Sequence, residues 1–112
     1  MTASEFEHAV ATMLQKNGYH DVQHVGGAGD LGVDVVCRDQ DGRKVVVQCK
    51  RYNPSYKIRS KDIQTFIGMM TVHHRADRGI FVTTSSFTEE ARSLADEHNV
   101  RTIEGTALKW MM

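Results

Sequence analysis

A carboxylate, an amide and an ammonium group occur at the ends of two valine-rich segments. Asp34 begins DVVCRD, and Gln48 and Lys50 close KVVVQCK. Carboxylate and amide oxygens are hard ligands of the kind that Mg²⁺ accepts. An ammonium group beside them could stabilise the charge of a phosphodiester under attack or help to deprotonate a water molecule. The set is therefore suited to metal-assisted phosphodiester hydrolysis, and a structural ion pair between Asp34 and Lys50 is an equally weighted alternative.

The two segments form a predicted β-hairpin that would bring these groups together. With residues 40–42 as a three-residue loop and Gly42 in the left-handed conformation, Asp34 stands opposite Gln48. Because side chains alternate along a strand, Asp34, Gln48 and Lys50 would share one face. The other face would carry Val33, Val35, Cys37, Val45, Val47 and Cys49. The two cysteines would stand about 13 Å apart along the strands, so we expect small core residues and no disulfide.

The first predicted helix, residues 4–16, offers a further acid. Its apolar stripe consists of Phe6, Val10, Met13 and Leu14. Glu5 points away from this stripe and is best explained as a capping group, whereas Glu7 borders the stripe and can face the site. Glu7 is therefore a candidate metal ligand, with helix capping as the alternative.

The loop before the hairpin, GGAGDLGVD at residues 26–34, matches the pattern GxGxxG. A dinucleotide-binding loop must open a helix, and here a strand follows, so the pattern does not indicate a nucleotide site. Its glycines instead favour a close approach of backbone, and we expect Gly29 to lie beside a DNA strand. Asp30 is a candidate for this DNA-contacting surface or for the metal site, and a turn-forming acid that accepts loop amides is an equally weighted alternative.

Charge is unevenly distributed, although 14 basic and 14 acidic residues give a net charge of zero. Residues 43–61 contain half of the lysines and arginines, no acid, and two tyrosines. This pattern favours a polyanion-binding face, with a solvated loop as the alternative. The DNA contacts expected in this segment are Arg51, Tyr52, Lys57, Arg59 and Lys61.

Three smaller groups of polar residues complete the candidates. Thr84 and Ser85 lie at a strand-to-helix junction, where their hydroxyl groups could bind a DNA phosphate, although helix capping is the favoured explanation for this segment. The histidines and arginines of residues 73–78 are expected to extend the basic surface. A zinc pair formed by His20 and His24 is disfavoured because the two residues flank a predicted helix end and strand start.

The elements that must position these residues alternate between helices and strands. Further helices are predicted at residues 60–73 and 88–98, strands at 22–25, 79–84 and 100–103, and a final turn or helix at 106–111. This order predicts one domain over residues 1–112, a three-layer α/β/α sandwich around a central mixed β-sheet. No apolar run approaches the roughly 20 residues of a membrane span, so we expect a soluble, cytoplasmic protein.

The segments GGAGDLGVDVVCRDQDGRKVVVQCKRY and GIFVTTSSFTEEA together resemble the Mrr-type catalytic domain of restriction endonucleases, within the PD-(D/E)xK nuclease superfamily. The resemblance implies the restriction endonuclease-like fold and a Mg²⁺-dependent DNA endonuclease of restriction and defence type, with Mn²⁺ as a substitute. It also implies an active site of Asp34, Gln48, Lys50 and Glu7, with the metal on Asp34, Gln48 and Glu7. Valine precedes Asp34 where the superfamily has proline, and Gln48 replaces an acid, which leaves a less anionic metal site.

Two other functions stay open on the sequence. One is a structure-selective repair or Holliday-junction-type nuclease, and the other is a non-catalytic DNA-binding module of the same fold. The complete trio argues against the binding module, which has no need of a carboxylate beside an ammonium group. Expected partners are DNA, a second copy of the chain in a homodimer, and a separate DNA-recognition domain or subunit.

Overall fold

The computed structural model describes residues 1–25 and 32–112. Its strands are β1 (His20–His24), β2 (Val35–Arg38), β3 (Lys44–Lys50), β4 (Arg78–Thr83) and β5 (Val100–Ile103). Its α-helices are α1 (Ala3–Lys16), α2 (Ser60–Gly68), α3 (Glu89–Glu97) and α4 (Gly105–Met111), and a π-helical segment, Met69–His73, follows α2 directly. Within the described ranges, no helix is both long and apolar enough to cross a membrane.

The five strands form one mixed sheet in the order β1-β2-β3-β4-β5. The β1–β2 and β2–β3 pairs are antiparallel, and the β3–β4 and β4–β5 pairs are parallel. One face is covered by α1 and α4 through a cluster that includes Phe6, Leu14 and Leu108. The other face is covered by α2, the π-helical segment and α3 through a cluster that includes Phe66 and Ala91. The predicted three-layer sandwich is confirmed.

The hairpin register is also confirmed over the whole of β2. The pairs are Val35 with Val47, Val36 with Val46, Cys37 with Val45, and Arg38 with Lys44. Gly42 has a φ of 79°, and its amide donates to the Asp39 carbonyl at 3.0 Å, as expected for a three-residue loop closed by a left-handed glycine. The turn sequence therefore set the alignment of the two strands.

The register departs from the prediction at the first residue before β2. Val35 pairs with Val47, and the amide of Asp34 also donates to the Val47 carbonyl, at 2.8 Å. Two successive residues thus face one residue of β3, which is the arrangement of a β-bulge. The prediction that Asp34 pairs with Gln48 is wrong for this reason. The prediction for Val33 is wrong too, because the extra residue shifts the alternation and Val33 packs in the cluster with Phe66 on the other face.

The predicted helix over residues 60–73 is divided in the structure. Regular α-helix ends at Gly68, and the chain continues as the π-helical segment to His73. Apolar spacing does not distinguish the two parts, because both bury residues of the same stripe: Ile63 and Phe66 in α2, and Met70 in the π-helical segment. Single π-helical turns of this kind are frequent near functional sites.

Candidate active site

Asp34 is held in place by neighbours on both sides. Its amide donates to Val47, and its carbonyl accepts from the amide of Val25 at 2.9 Å. The Asp34 side chain is buried, and its Oδ2 atom accepts a hydrogen bond from the amide of Cys49 at 2.8 Å. A charged acceptor makes this bond stronger than one between neutral groups. The carboxylate is therefore fixed against β3 at the residue that separates Gln48 from Lys50.

The pKa of the Cys49 thiol is affected by burial and by negative charges at this end of the sheet. Burial raises the pKa of Cys49 far above its usual value, and the negative charges of Asp34 and Glu7 raise it further. Two carboxylates from different elements thus act on one buried thiol, which stays protonated. Both cysteines are buried and free, as the sequence predicted.

Glu7 lies on the side of α1 that faces β1. Its side chain is 17% exposed, and Glu7 Oε1 lies 2.5 Å from the Nε2 atom of His24. Glu5, in contrast, forms a capping box with Thr2, because each residue's amide donates to the other's side chain. The helical angles distinguished the two acids correctly, and the capping alternative for Glu7 is excluded because Glu5 fills that role.

His24 is the contact that the sequence reasoning missed. Its Nε2 atom contacts Glu7, and its ring lies 4.3 Å from the ring of His8. His20, near the other end of β1, bonds the Asp39 carbonyl at 2.9 Å, so the two β1 histidines have separate partners. In the described ranges, no cluster of three or more His, Cys, Asp or Glu side chains could hold a metal ion. The sequence offers one indication of this contact. Because β1 directly follows α1, the two elements are expected to pack together, which brings β1 side chains near Glu7.

Gln48 and Lys50 are both half-buried at the end of β3. The Gln48 amide lies 3.7 Å from the place that a Cβ on Gly32 would occupy, next to Met69 of the π-helical segment. The backbone carbonyl of Lys50 accepts from the Thr83 hydroxyl at 2.8 Å, and β4 pairs with it in register. Gln48 therefore faces the end of the glycine-rich loop, and the backbone at Lys50 is anchored to the centre of the sheet.

The basic residues after Lys50 form an exposed surface beside this strand end. Exposed side chains here are Arg51, Tyr52, Lys57, Arg59 and Lys61. The hydroxyl of Thr84 donates to the Tyr52 carbonyl at 2.7 Å, and that of Ser85 donates to the Pro54 carbonyl at 3.2 Å. These two hydroxyls hold the loop, while Thr88 caps α3 by accepting from the amide of Ala91. Gly29 and Asp30 lie outside the described residues.

The basic segment is nevertheless not one continuous stripe. Arg43 and Lys44 lie at the hairpin end of β3, and a strand of 7 residues separates them from the site by about 20 Å. Arg78 does not extend the surface either, because its guanidinium bonds Asp39 at 2.6 Å and lies 3.4 Å from Asp41. A count of charges along the chain does not reveal this division, because β3 places the charges at its two ends on opposite ends of the sheet.

The comparisons with known proteins agree with this architecture. The Mrr catalytic-domain model, described as a restriction endonuclease, matches residues 1–112. The type IV methyl-directed restriction enzyme EcoKMrr of Escherichia coli strain K12 is 38% identical over 114 residues, which cover 96% of this chain. The match covers 35% of that enzyme, so this chain spans about a third of its length.

Solved restriction endonucleases share the fold at low sequence identity. MspJI in complex with a 27-mer oligonucleotide has a TM-score of 0.72 at 22% identity, over 96% of this chain and 27% of that one. The DNA modification-dependent enzyme AspBHI has a TM-score of 0.71 at 16% identity, over 96% of this chain and 30% of that one. With the family match over residues 1–112, these findings show that the chain belongs to the Mrr catalytic-domain family of restriction endonucleases.

Proposed function

We propose that this chain is a metal-dependent DNA endonuclease of the restriction type, which hydrolyses phosphodiester bonds. The observation that carries the proposal is the Asp34 carboxylate, buried and bonded to the amide of Cys49 between Gln48 and Lys50. A buried carboxylate is costly unless it is satisfied or used. One hydrogen bond to this carboxylate and two to the backbone of the same residue fix it beside an exposed basic surface. Family membership supports the same chemistry.

The donor atoms suit a hard divalent cation. We assign Asp34, Gln48 and Glu7 as the residues that hold Mg²⁺, with Mn²⁺ as a substitute, since all three offer oxygen ligands. The fit is supported by contacts at this end of the sheet. Glu7 Oε1 lies 2.5 Å from His24 Nε2, and the amide of the next residue, Val25, donates to the Asp34 carbonyl at 2.9 Å. When bound, the cation would polarise a phosphoryl oxygen and lower the pKa of a bound water.

Lys50 would stabilise the negative charge that develops on the phosphate. Its backbone carbonyl accepts from the Thr83 hydroxyl, so the side chain extends from a fixed point at the end of β3. The exposed residues Arg51, Lys57, Arg59 and Lys61 would bind neighbouring phosphates, which orients DNA without reading its sequence. Thr84 and Ser85 would contribute indirectly by holding the loop that carries Arg51 and Tyr52.

Target selection is proposed to depend on parts other than this catalytic unit. Since the chain spans about a third of the Escherichia coli relative, a DNA-recognition domain or subunit outside the matched region would direct cleavage. One active site cuts one strand, so we further propose that double-strand cleavage requires a homodimer.

Plasmid cleavage tests the proposal directly. Purified protein should nick or linearise supercoiled plasmid in Mg²⁺ or Mn²⁺ and fail to do so in EDTA. Asp34→Asn preserves the shape of the side chain but removes its charge, and Lys50→Ala removes the ammonium group. Each substitution should slow cleavage by about 100-fold or more, the usual effect of losing one group that stabilises the transition state.

Matched controls come from exposed residues of the same types. Asp77→Asn and Lys16→Ala should cleave as wild type does, because both side chains are exposed and belong to segments that lie at the hairpin end of the sheet, away from the site. Cleavage that persists in EDTA, or that is equal in wild type and Asp34→Asn, would contradict the proposal. Salt-dependent DNA binding without any metal-dependent cleavage would instead indicate a non-catalytic binding module.

A further inference from the structure

We infer that His24 is a positioning residue, which holds the Glu7 carboxylate in the orientation needed for metal binding. The inference rests on the proposed function, because it concerns the same metal site. His24 Nε2 and Glu7 Oε1 are 2.5 Å apart, and their side chains are only 22% and 17% exposed. An ionised carboxylate can only accept a hydrogen bond, so the Nε2 atom of His24 carries the proton and donates it.

Helix capping does not account for this bond. The start of α1 is already capped by the reciprocal bonds of Thr2 and Glu5. The residue after His24, Val25, donates its amide to the carbonyl of Asp34 at 2.9 Å, so the bond from His24 brings Glu7 to the end of the sheet where Asp34 lies. His24 therefore connects the second carboxylate of the site to β1.

Two further features fix the histidine itself. The ring of His8 lies 4.3 Å from that of His24, with an angle of 57° between the planes, and restricts rotation of the His24 side chain. His24 also pairs with Val35 across β1 and β2, which places its backbone next to the residue that follows Asp34. Hydrogen-bond partners of metal ligands typically contribute about 10- to 100-fold to metal affinity or activity.

His20 supplies a matched control on the same strand. It too is a histidine with a hydrogen bond, but its partner is the Asp39 carbonyl at the hairpin end of the sheet. Substitution at His20 therefore removes a β1 histidine, its bond to the Asp39 carbonyl and its 3.3 Å contact with Asp21, without affecting Glu7. The conservative variant His24→Gln keeps an N–H donor at a similar reach, whereas His24→Leu fills the space without one.

The experiment measures Mn²⁺ affinity by isothermal titration calorimetry without DNA, and then kcat and KM for plasmid cleavage. His24→Leu should weaken Mn²⁺ binding by about 10- to 100-fold. Its kcat should fall at limiting Mn²⁺ and recover at high Mn²⁺, while KM for DNA stays unchanged. His24→Gln should stay within a few-fold of wild type, and His20→Leu should match wild type. In a Glu7→Gln background, His24→Leu should cause no further loss of affinity.

Several results would overturn the inference. Equal or tighter Mn²⁺ binding by His24→Leu would mean that the histidine only packs against Glu7 or competes with the metal for it. A His24→Gln protein that stays folded by circular dichroism but is as defective as His24→Leu would show that donation is not what matters. An undiminished His24→Leu effect in the Glu7→Gln background would show that Glu7 does not mediate it. A wild-type protein that neither binds Mn²⁺ nor cleaves DNA would instead refute the proposed function itself, and the inference with it.

Discussion

Replacing Gly105 by alanine is expected to disturb the junction that supports the loop after Lys50. A Cβ atom at residue 105 would lie 2.5 Å from the carbonyl oxygen of Thr84 and 3.1 Å from its carbonyl carbon. Ordinary contacts begin near 3.4 Å, so the methyl group would be about 0.9 Å too close to the oxygen. The obstructing atoms belong to the backbone and cannot rotate away. Either α4 or the turn at Thr84 and Ser85 must therefore move.

The size of the effect follows from this overlap. Overpacking of this kind costs about 1–3 kcal/mol, and a domain near this size loses about 4–8 °C of Tm per kcal/mol. We therefore expect the Gly105→Ala protein to melt about 4–24 °C below wild type by differential scanning calorimetry. Plasmid cleavage at 25 °C should also slow, because Thr84 and Ser85 hold the backbone at Tyr52 and Pro54.

Gly68→Ala is the matched control. Gly68 has helical angles, with a φ of −59° and a ψ of −45°, and a Cβ there would meet nothing within 4 Å. Alanine should therefore leave the free energy of unfolding unchanged or raise it by up to about 1 kcal/mol, the difference in helix propensity. A Gly105→Ala protein that melts at or above the wild-type temperature would refute the steric argument.

Two further predictions concern groups away from the proposed chemistry. Burial raises the pKa of Asp39, but hydrogen bonds from backbone amides and the Arg78 guanidinium outweigh it, so that the pKa is lowered on balance. The stability from this carboxylate is present above its unfolded pKa and is lost as the pH falls through the folded value. The Tm difference between wild type and Asp39→Asn should thus be wide near pH 7 and shrink toward about pH 3, and a constant difference would contradict this assignment. Burial raises the pKa of the Cys37 thiol to about 12, and that of Cys49 also rises. At about pH 8 both should react with iodoacetamide about a thousandfold more slowly in the folded protein than in denaturant, as followed by mass spectrometry, and fast labelling of the folded chain would show that the thiols are accessible.

The hairpin shows how far local sequence rules reach. A left-handed glycine at residue 42 permits one loop length, and loop length fixes the pairing of every residue after it. All four pairs of β2 with β3 were therefore predictable from the turn. The rule fails before β2, at Asp34 and Val33, because a bulge depends on which backbone groups meet across three strands and not on the alternation of apolar side chains.

The contacts of Glu7 and Lys50 show a second limit of prediction from the sequence. Helical angles correctly placed Glu7 beside the core, since they depend on one element alone. The bond from His24 to Glu7 and the support of Lys50 by Thr83 each join elements distant in sequence, and no spacing rule contains them. For the same reason the sequence does not predict the bond from the Thr84 hydroxyl to the Tyr52 carbonyl, which holds a loop about 30 residues earlier in the chain.

The bulge at Asp34, which makes the predicted pairing with Gln48 wrong, also explains how a buried carboxylate is tolerated next to a valine-rich sheet. In an unbroken ladder the backbone of Asp34 would pair with Gln48, and the Cys49 amide would not be required to satisfy the Asp34 side chain. With two residues opposite Val47, the Asp34 carboxylate instead meets that amide at 2.8 Å and avoids the cost of an unpaired buried charge. Its position is then determined by backbone groups rather than by flexible side chains. Such preorganisation is what electrostatic catalysis requires, since a fixed carboxylate needs no reorganisation when charge develops on the substrate. The irregularity in the sheet and the proposed site thus have one physical origin.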